Sequence, residues 1–218
     1  MIKPAYQKHC HITKKWDLYT FENFRDFSRT SEDVDQIQNR ITETINITKI
    51  VGIDMYICPF ALRNMIGHTM ISFRCSDGKK ICLSVEAEIK LHKQYSIAHW
   101  LFWGYRSRYI RGTERDILNL RIFRNEKVYK YPIHISKQHI KELFLDITRE
   151  SNRTESWYIN YNLFSNNCTS WLWEIARRHF KIEKRHYSLL INSLLPKYLH
   201  KLGVVKISEK TAFHKIEY

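Results

Sequence analysis

One cysteine and one histidine in this chain are placed to do nucleophilic chemistry together. Cys168 follows Asn166-Asn167 and opens the run CTSWLWEIARRHF, in which Trp171, Leu172, Ile175 and His179 recur at helical spacing. Asn167 is a good N-cap, so the thiol is expected on the first residue of a helix. There the unsatisfied backbone N–H groups and the positive end of the helix dipole stabilise a thiolate and lower its pKa below the ordinary value of about 8.5. The same N–H groups can receive an oxyanion. Such a thiol needs a base and a group that orients the base, and His68 and Glu86 are the candidates. The competing reading makes Cys168 a small buried hydrophobe and His68 a hydrogen-bonded core residue. The spacing alone leaves both open.

The element that must position His68 is a hairpin: HTMISFRC, then Ser76-Asp77-Gly78, then KKICLSVE. A three-residue loop of this kind is a type I turn closed by a left-handed residue, and Gly78 takes that conformation at least cost. With Cys75 opposite Lys79, Phe73 faces Ile81, Ile71 faces Leu83 and Thr69 faces Val85, which makes one face almost wholly apolar. A two-residue turn would mix the faces. On the other face His68 is expected opposite Glu86, with Met70 beside Ser84 and Ser72 beside Cys82. Directly opposed side chains start about 4.5–5.5 Å apart, close enough for a carboxylate to hold an imidazole.

Around this hairpin, residues 42–58 read as two strands, RDILNLRIF (115–123) and KVYKYPI (127–133) as two more, and 136–151 as a helix capped by Ser136 with Ile140, Leu143, Phe144 and Ile147 inward. Residues 16–30 mix aromatics and charges without clean periodicity and are expected loosely on the surface. The tail adds a helix around 187–200 and a short extended piece. The fold class is α+β, with a single domain over 1–218, a flexible terminus at 1–15, a core at 16–180 and a C-terminal helix and tail at 181–218.

Composition bounds the rest. Apolar residues at 44%, with six Gly and four Pro, exclude a low-complexity chain. A formal charge of +14 implies attraction to a polyanion: nucleic acid, an anionic membrane surface or an acidic partner. The odd count of five cysteines leaves at least one thiol unpaired, and Cys75 and Cys82 fall on opposite faces of the hairpin, so no bridge joins them. The N-terminus lacks an apolar run and reads as neither signal peptide nor membrane span. His9-Cys10-His11 could bind a metal, but a floppy terminus is the preferred reading. No HExxH or comparable spacing occurs among eleven histidines, so neither metal nor cofactor is expected.

The ordered set IGHTMISFRCSDGKK, SVEAE, GTERDILNL, KVYKYPI and YNLFSNNCTSWL resembles the Lnb-type N-terminal periplasmic domain family from about residue 16 to 180. That family is similar to permuted papain-like thiol enzymes, the NlpC-like and lecithin retinol acyltransferase-like proteins. The resemblance implies an antiparallel sheet packed against helices, with Cys168 as nucleophile, His68 as base and Glu86 as orienting group. Asn166, Asn167, Ser84 and Tyr105 are the candidates for the oxyanion site and pocket, and Arg115 and Asp116 are secondary, read as an ion pair. The implied activity is lipoprotein N-acylation in the bacterial envelope: an acyl chain moves through a thioester from a phospholipid to an amine, with a lipoprotein or peptide as acceptor. Residues 97–105 (IAHWLFWGY) fit a membrane-facing lip carrying Trp100 and Trp103, and Arg106, Arg108 and Arg111 fit phosphate head groups. The simpler alternative makes these aromatics core. The absence of an export segment leaves the cytoplasm open beside the periplasm.

Two other functions stay open. A cysteine amidase or peptidase of the NlpC-like type uses the same residues on another bond. A non-catalytic basic module binding nucleic acid or anionic membrane accounts for the charge and the aromatics, although no nucleic-acid motif is present and nucleic acid is not the expected partner.

Overall fold

The computed structural model describes residues 8–28, 39–88, 105–153, 160–162, 166–180 and 186–207. Nine strands form a mostly antiparallel open sheet: β1 (His11–Lys15), β2 (Leu18–Arg25), β3 (Arg40–Asn46), β4 (Ile50–Ala61), β5 (Ile66–Cys75), β6 (Lys80–Glu88), β7 (Tyr105–Gly112), β8 (Tyr129–Ile133) and β9 (Asn160–Tyr161). Their order is β1-β2-β7-β6-β5-β4-β8, with β3 on β2 and β9 on β7. Four α-helices accompany them among the described residues: α1 (Glu114–Phe123), α2 (Lys137–Arg153), α3 (Cys168–His179) and α4 (Leu195–Lys201). The architecture is mixed α/β, and the sheet is antiparallel except for a single parallel pair, Arg25 with Gly112.

The β5–β6 hairpin has the expected register: Ile71 pairs with Leu83, Phe73 with Ile81 and Arg74 with Lys80. Gly78 sits at φ 85°, the left-handed conformation the three-residue turn requires. The register sorts the faces. Ile71, Phe73, Ile81, Leu83 and Val85 pack with Phe144 and Ile147 of α2 and Trp171 and Ile175 of α3, while Met70 and Cys82 pack with Ile117 and Leu118 of α1 on the other side. Cys75 belongs to the first cluster and Cys82 to the second, and all five cysteines are buried with no disulfide between them.

Four expectations are corrected here. RDILNLRIF is a helix, because the Thr113 hydroxyl accepts the Asp116 N–H at 3.2 Å and Glu114 and Asp116 put acid in the first turn, where the dipole favours it. Its buried positions include 114, 117, 118 and 121, which recur at helical spacing, beside 116 and 120. Residues 16–27 are not a loose surface segment: the β1–β2 hairpin buries Tyr19, Phe21, Phe24 and Phe27, and the Tyr19 ring meets Phe144 at 5.1 Å. Residues 11–15, read as flexible terminus, form β1; Cys10 is buried and His9 lies against Arg108. Arg115 and Asp116 do not pair with each other. Arg115 reaches Asp26, and Asp116 forms a buried two-pronged pair with Arg25, both bonds 2.9 Å.

Candidate active site

Cys168 is the first residue of α3, and its helix start is closed by a capping box. Asn167 Oδ1 accepts the Thr169 and Ser170 N–H groups at 2.8 Å each, while the Asn167 N–H donates to Ser170 Oγ at 2.8 Å. Asn167 is therefore a cap rather than a pocket residue. Two of the N–H donors expected for an oxyanion are already engaged.

The thiol sits where the sheet comes apart. The β5–β6 ladder runs from Arg74–Lys80 to Met70–Ser84 and no further, although β6 continues along β7 to Glu88. Beyond that point the exposed edge of β5 is completed by side chains. Cys168 Sγ accepts the Thr69 N–H at 3.4 Å. The Asn192 carboxamide takes the Gly67 N–H at 2.6 Å and donates back to the Gly67 carbonyl at 2.5 Å, as a neighbouring strand would. Asn192 Nδ2 also lies 3.4 Å from Thr69 Oγ1 and 3.5 Å from Thr169 Oγ1. Gly67 must be glycine here, since a Cβ would stand 2.7 Å from the Cys58 carbonyl oxygen. Asn192, Thr69 and Thr169 were not legible as site residues: each is an ordinary polar residue in sequence, and only the parting of the strands gives them a task.

His68 lies on the opposite face of β5 from Thr69, and its imidazole bonds Ser84 rather than the thiol. Nε2 is 2.6 Å from Ser84 Oγ, and Ser84 Oγ donates to Glu86 Oε1 at 3.2 Å. Glu86 in turn stands 3.6 Å from Arg121 Nη2. The expected direct contact between Glu86 and His68 is thus replaced by a relay, because the strands separate before reaching that pair and the imidazole leans back to the diagonal neighbour. The relay fixes the tautomer. A carboxylate only accepts, so the serine proton goes to Glu86, Nε2–H donates to the serine oxygen, and Nδ1 keeps its lone pair. Burial, with Arg121 second, pushes the His68 pKa down to about 3, so the ring is neutral at neutral pH, the form a base requires. Cys58, cross-strand from His68, is fully buried, and burial pushes its thiol up to about 12, which makes it an inert neighbour.

The remaining sequence candidates divide. Asn166 donates to the Asn160 carbonyl at 2.9 Å and to Ser107 Oγ at 3.4 Å, and so ties the start of α3 to the β7–β9 edge. Tyr105 is half-buried on that edge, opposite Tyr161. Arg111 is not a head-group ligand: it is fully buried and donates to Ser151 Oγ and the Cys10 carbonyl. Arg108 is likewise buried, in an ion pair with Glu88 and against His9. Arg108 is balanced by a carboxylate and Arg111 is held by neutral oxygens, and both are engaged inside the fold. Arg106 is half-buried at the same edge, opposite Asn160. Trp100 and Trp103 and the rest of the proposed lip up to residue 104 lie outside the described residues. Among the described residues no group of three metal-binding side chains converges, and no helix is long and apolar enough to cross a membrane.

An apolar cavity of about 110 Å³ reaches Thr69 and Thr169, the neighbours of Cys168. Its walls come from β4 and β5, α2, α3 and the C-terminal segment, and include Met55, Ile71, Leu143, Leu172, Leu189 and Leu195. Its two hydroxyls, Thr69 and Thr169, bond each other at 2.7 Å and flank Cys168 in structure and in sequence.

Fold and site together define a mixed α/β protein with a cysteine at a capped helix N-terminus set into a gap in an antiparallel sheet. The chain matches the family of the Lnb N-terminal periplasmic domain over residues 37–197 and belongs to that family. The match agrees with the expected bacterial envelope setting. No curated protein and no solved structure matches the chain.

Proposed function

We propose that this protein is a cysteine-dependent acyltransferase of the bacterial envelope, built on a permuted papain-like plan, that carries an acyl chain as a thioester on Cys168. The carrying observation is the parting of β5 and β6. It lets the Cys168 sulfur accept the N–H of Thr69, the residue that follows a neutral histidine whose tautomer is set by the Ser84–Glu86 relay.

In the reaction, His68 Nδ1 takes the Cys168 proton and the thiolate attacks the ester carbonyl of a lipid. The negative oxygen that forms is met by the N–H of Cys168. The C–O bond breaks, the alcohol leaves with the proton from His68, and the acyl group stays on sulfur. An amine then attacks the thioester, His68 removes its proton, and collapse returns the thiol. Thr69 N–H and the helix dipole stabilise the thiolate at both ends of the cycle. The apolar cavity favours an acyl chain over the polar peptides of an amidase, because its lining is hydrocarbon up to the two threonines beside the sulfur.

The test is iodoacetamide alkylation against pH, read cysteine by cysteine by mass spectrometry in wild type and His68→Ala. The proposal expects Cys168 alone to react well below pH 8 and to lose that reactivity without His68. Incubation with phospholipid should then leave a hydroxylamine-labile acyl adduct on Cys168, absent from Cys168→Ala. A Cys168 as inert as the other four thiols removes the reading, and a reactive thiol that cleaves amides but takes no acyl group moves it to an amidase.

A further inference from the structure

The end of the sheet that holds the thiol also carries an exposed apolar tip. The end of β4 and the β4–β5 turn present Phe60, Leu62 and Met65 at 40%, 56% and 47% exposure, and Tyr187, in the segment that supplies Ser193, is 62% exposed. Leu62, Arg63 and Asn64 are held in succession at φ 47°, 53° and 67°. Leucine and arginine adopt that left-handed conformation only at some energetic cost. The turn thus holds a strained shape whose visible result is to keep Leu62 and Met65 in solvent.

The tip is coupled to the site. Met65 lies four residues before Thr69 on the same chain, about 13 Å at the rise of a strand. The Ser193 N–H reaches the Met65 carbonyl, and the segment that supplies Ser193 also supplies Asn192 to the β5 edge and Leu189 and Leu195 to the cavity wall. The carboxylates at this end, Glu86, Glu88 and Glu126, are each paired with an arginine, and the segments that form the tip add only positive charge. Residues 55–76 and 186–207 contain no Asp or Glu, and Arg63 and Lys197 are exposed.

We propose that the β4–β5 tip, with Tyr187, is a docking edge that seats the thiol end of the molecule on an anionic lipid bilayer. Leu62, Met65 and Phe60 enter the interface, and Arg63 and Lys197 meet the phosphate layer. The function served rests on the acyl-transfer reading: a lipid ester would be taken from the surface on which the tip stands.

The full chain is cosedimented with vesicles of phosphatidylethanolamine and phosphatidylglycerol, and with phosphatidylcholine vesicles alone, while Cys168 alkylation is followed in the same samples. Wild type should bind the anionic vesicles, and Leu62→Ser with Met65→Ser should weaken that binding roughly tenfold or more. Trp16→Ser should leave it unchanged; that residue is exposed at the opposite end of the sheet, where the Ile47 N–H meets the Asp17 carbonyl. The double variant should keep wild-type thiol reactivity. Docking is overturned if wild type ignores anionic vesicles, if the double variant binds as wild type does, or if Trp16→Ser loses as much. A reactive Cys168 with tip-independent binding removes docking alone. An inert Cys168 with tip-dependent binding leaves docking standing and removes the acyl-transfer reading.

Discussion

The two faces of the β5–β6 hairpin come from the same eighteen or so residues and have opposite characters. One face is hydrocarbon, filled by Phe73, Leu83 and Val85 against α2 and α3. The other mixes an apolar cluster with buried polar groups beneath α1: Met70 and Cys82 beside His68, Ser84, Glu86 and Arg121, with Glu114 held by buried Tyr56 and exposed Lys80 at 2.7 and 2.6 Å. The first stabilises by removing apolar area from water. The second keeps its polar groups inside only because they find partners, and so it holds His68 in one tautomer. Cys168 belongs to the apolar side and reaches β5 at Thr69, just past the last rung of the ladder. The lesson is a division of labour: one face sets stability, the other sets protonation, and the gap between strands joins them.

The comparison breaks most visibly on the apolar face. Phe144 is fully buried and touches Tyr19 and Phe73 edge-on, so Phe144→Ala should lose about 3–5 kcal/mol in chemical denaturation. The folded fraction should keep its Cys168 alkylation profile; a changed profile would mean that the faces are not separable.

Acid should act on the other face. His68 is held neutral with a pKa near 3 and returns to about 6.5 on unfolding. Between those values the unfolded chain binds the extra proton. Stability is therefore complete above about pH 6.5 and declines as pH falls toward 3, on the order of 1 kcal/mol per pH unit. His68→Gln should flatten that slope in urea titrations across the window, and an unchanged slope would assign acid sensitivity elsewhere.

At the junction, Asn192→Ala strips the Gly67 N–H and carbonyl of their partners and should reduce stability by about 1–3 kcal/mol. Because β5 then loses its completed edge beside the sulfur, the pH profile of Cys168 alkylation should move as well. A purely structural Asn192 would lower stability and leave that profile in place. The smallest effect is expected from Ser84→Ala. Losing the relay frees the imidazole tautomer, so thiol reactivity at neutral pH should fall roughly tenfold, and the loss of the serine from His68 and Glu86 should cost about 1 kcal/mol of stability. Ser84→Thr, which keeps the hydroxyl, should restore the reactivity.

Much of the hairpin was legible in sequence because its information is local. Alternation sets the faces and Gly78 sets the turn, and together they fix the register. The cap at Asn167 and the inward stripe of α2 were legible for the same reason. The strand assigned to RDILNLRIF failed because its apolar residues suit either period, and the Thr113 cap decides between them. Residues 16–27 were missed because Phe21 and Phe24 show no simple period; β2 changes register between them, and their burial comes from α2, more than a hundred residues later. Arg108 and Arg111 looked like surface charge because sequence does not reveal the buried partners Glu88, Ser151 and the Cys10 carbonyl.

What the sequence alone determined is the cast and its local posture: a thiol at a helix start, a histidine on a strand, and one apolar face. Only the tertiary structure decided how they meet. It ends the β5–β6 ladder at Met70–Ser84, turns the expected carboxylate contact into a serine relay, and brings Asn192 and Cys168 from more than ninety residues away to complete the edge of β5. The physical reason is that pattern and turn chemistry act over a few residues. The fate of an unpaired backbone N–H depends on whatever the rest of the chain brings to it.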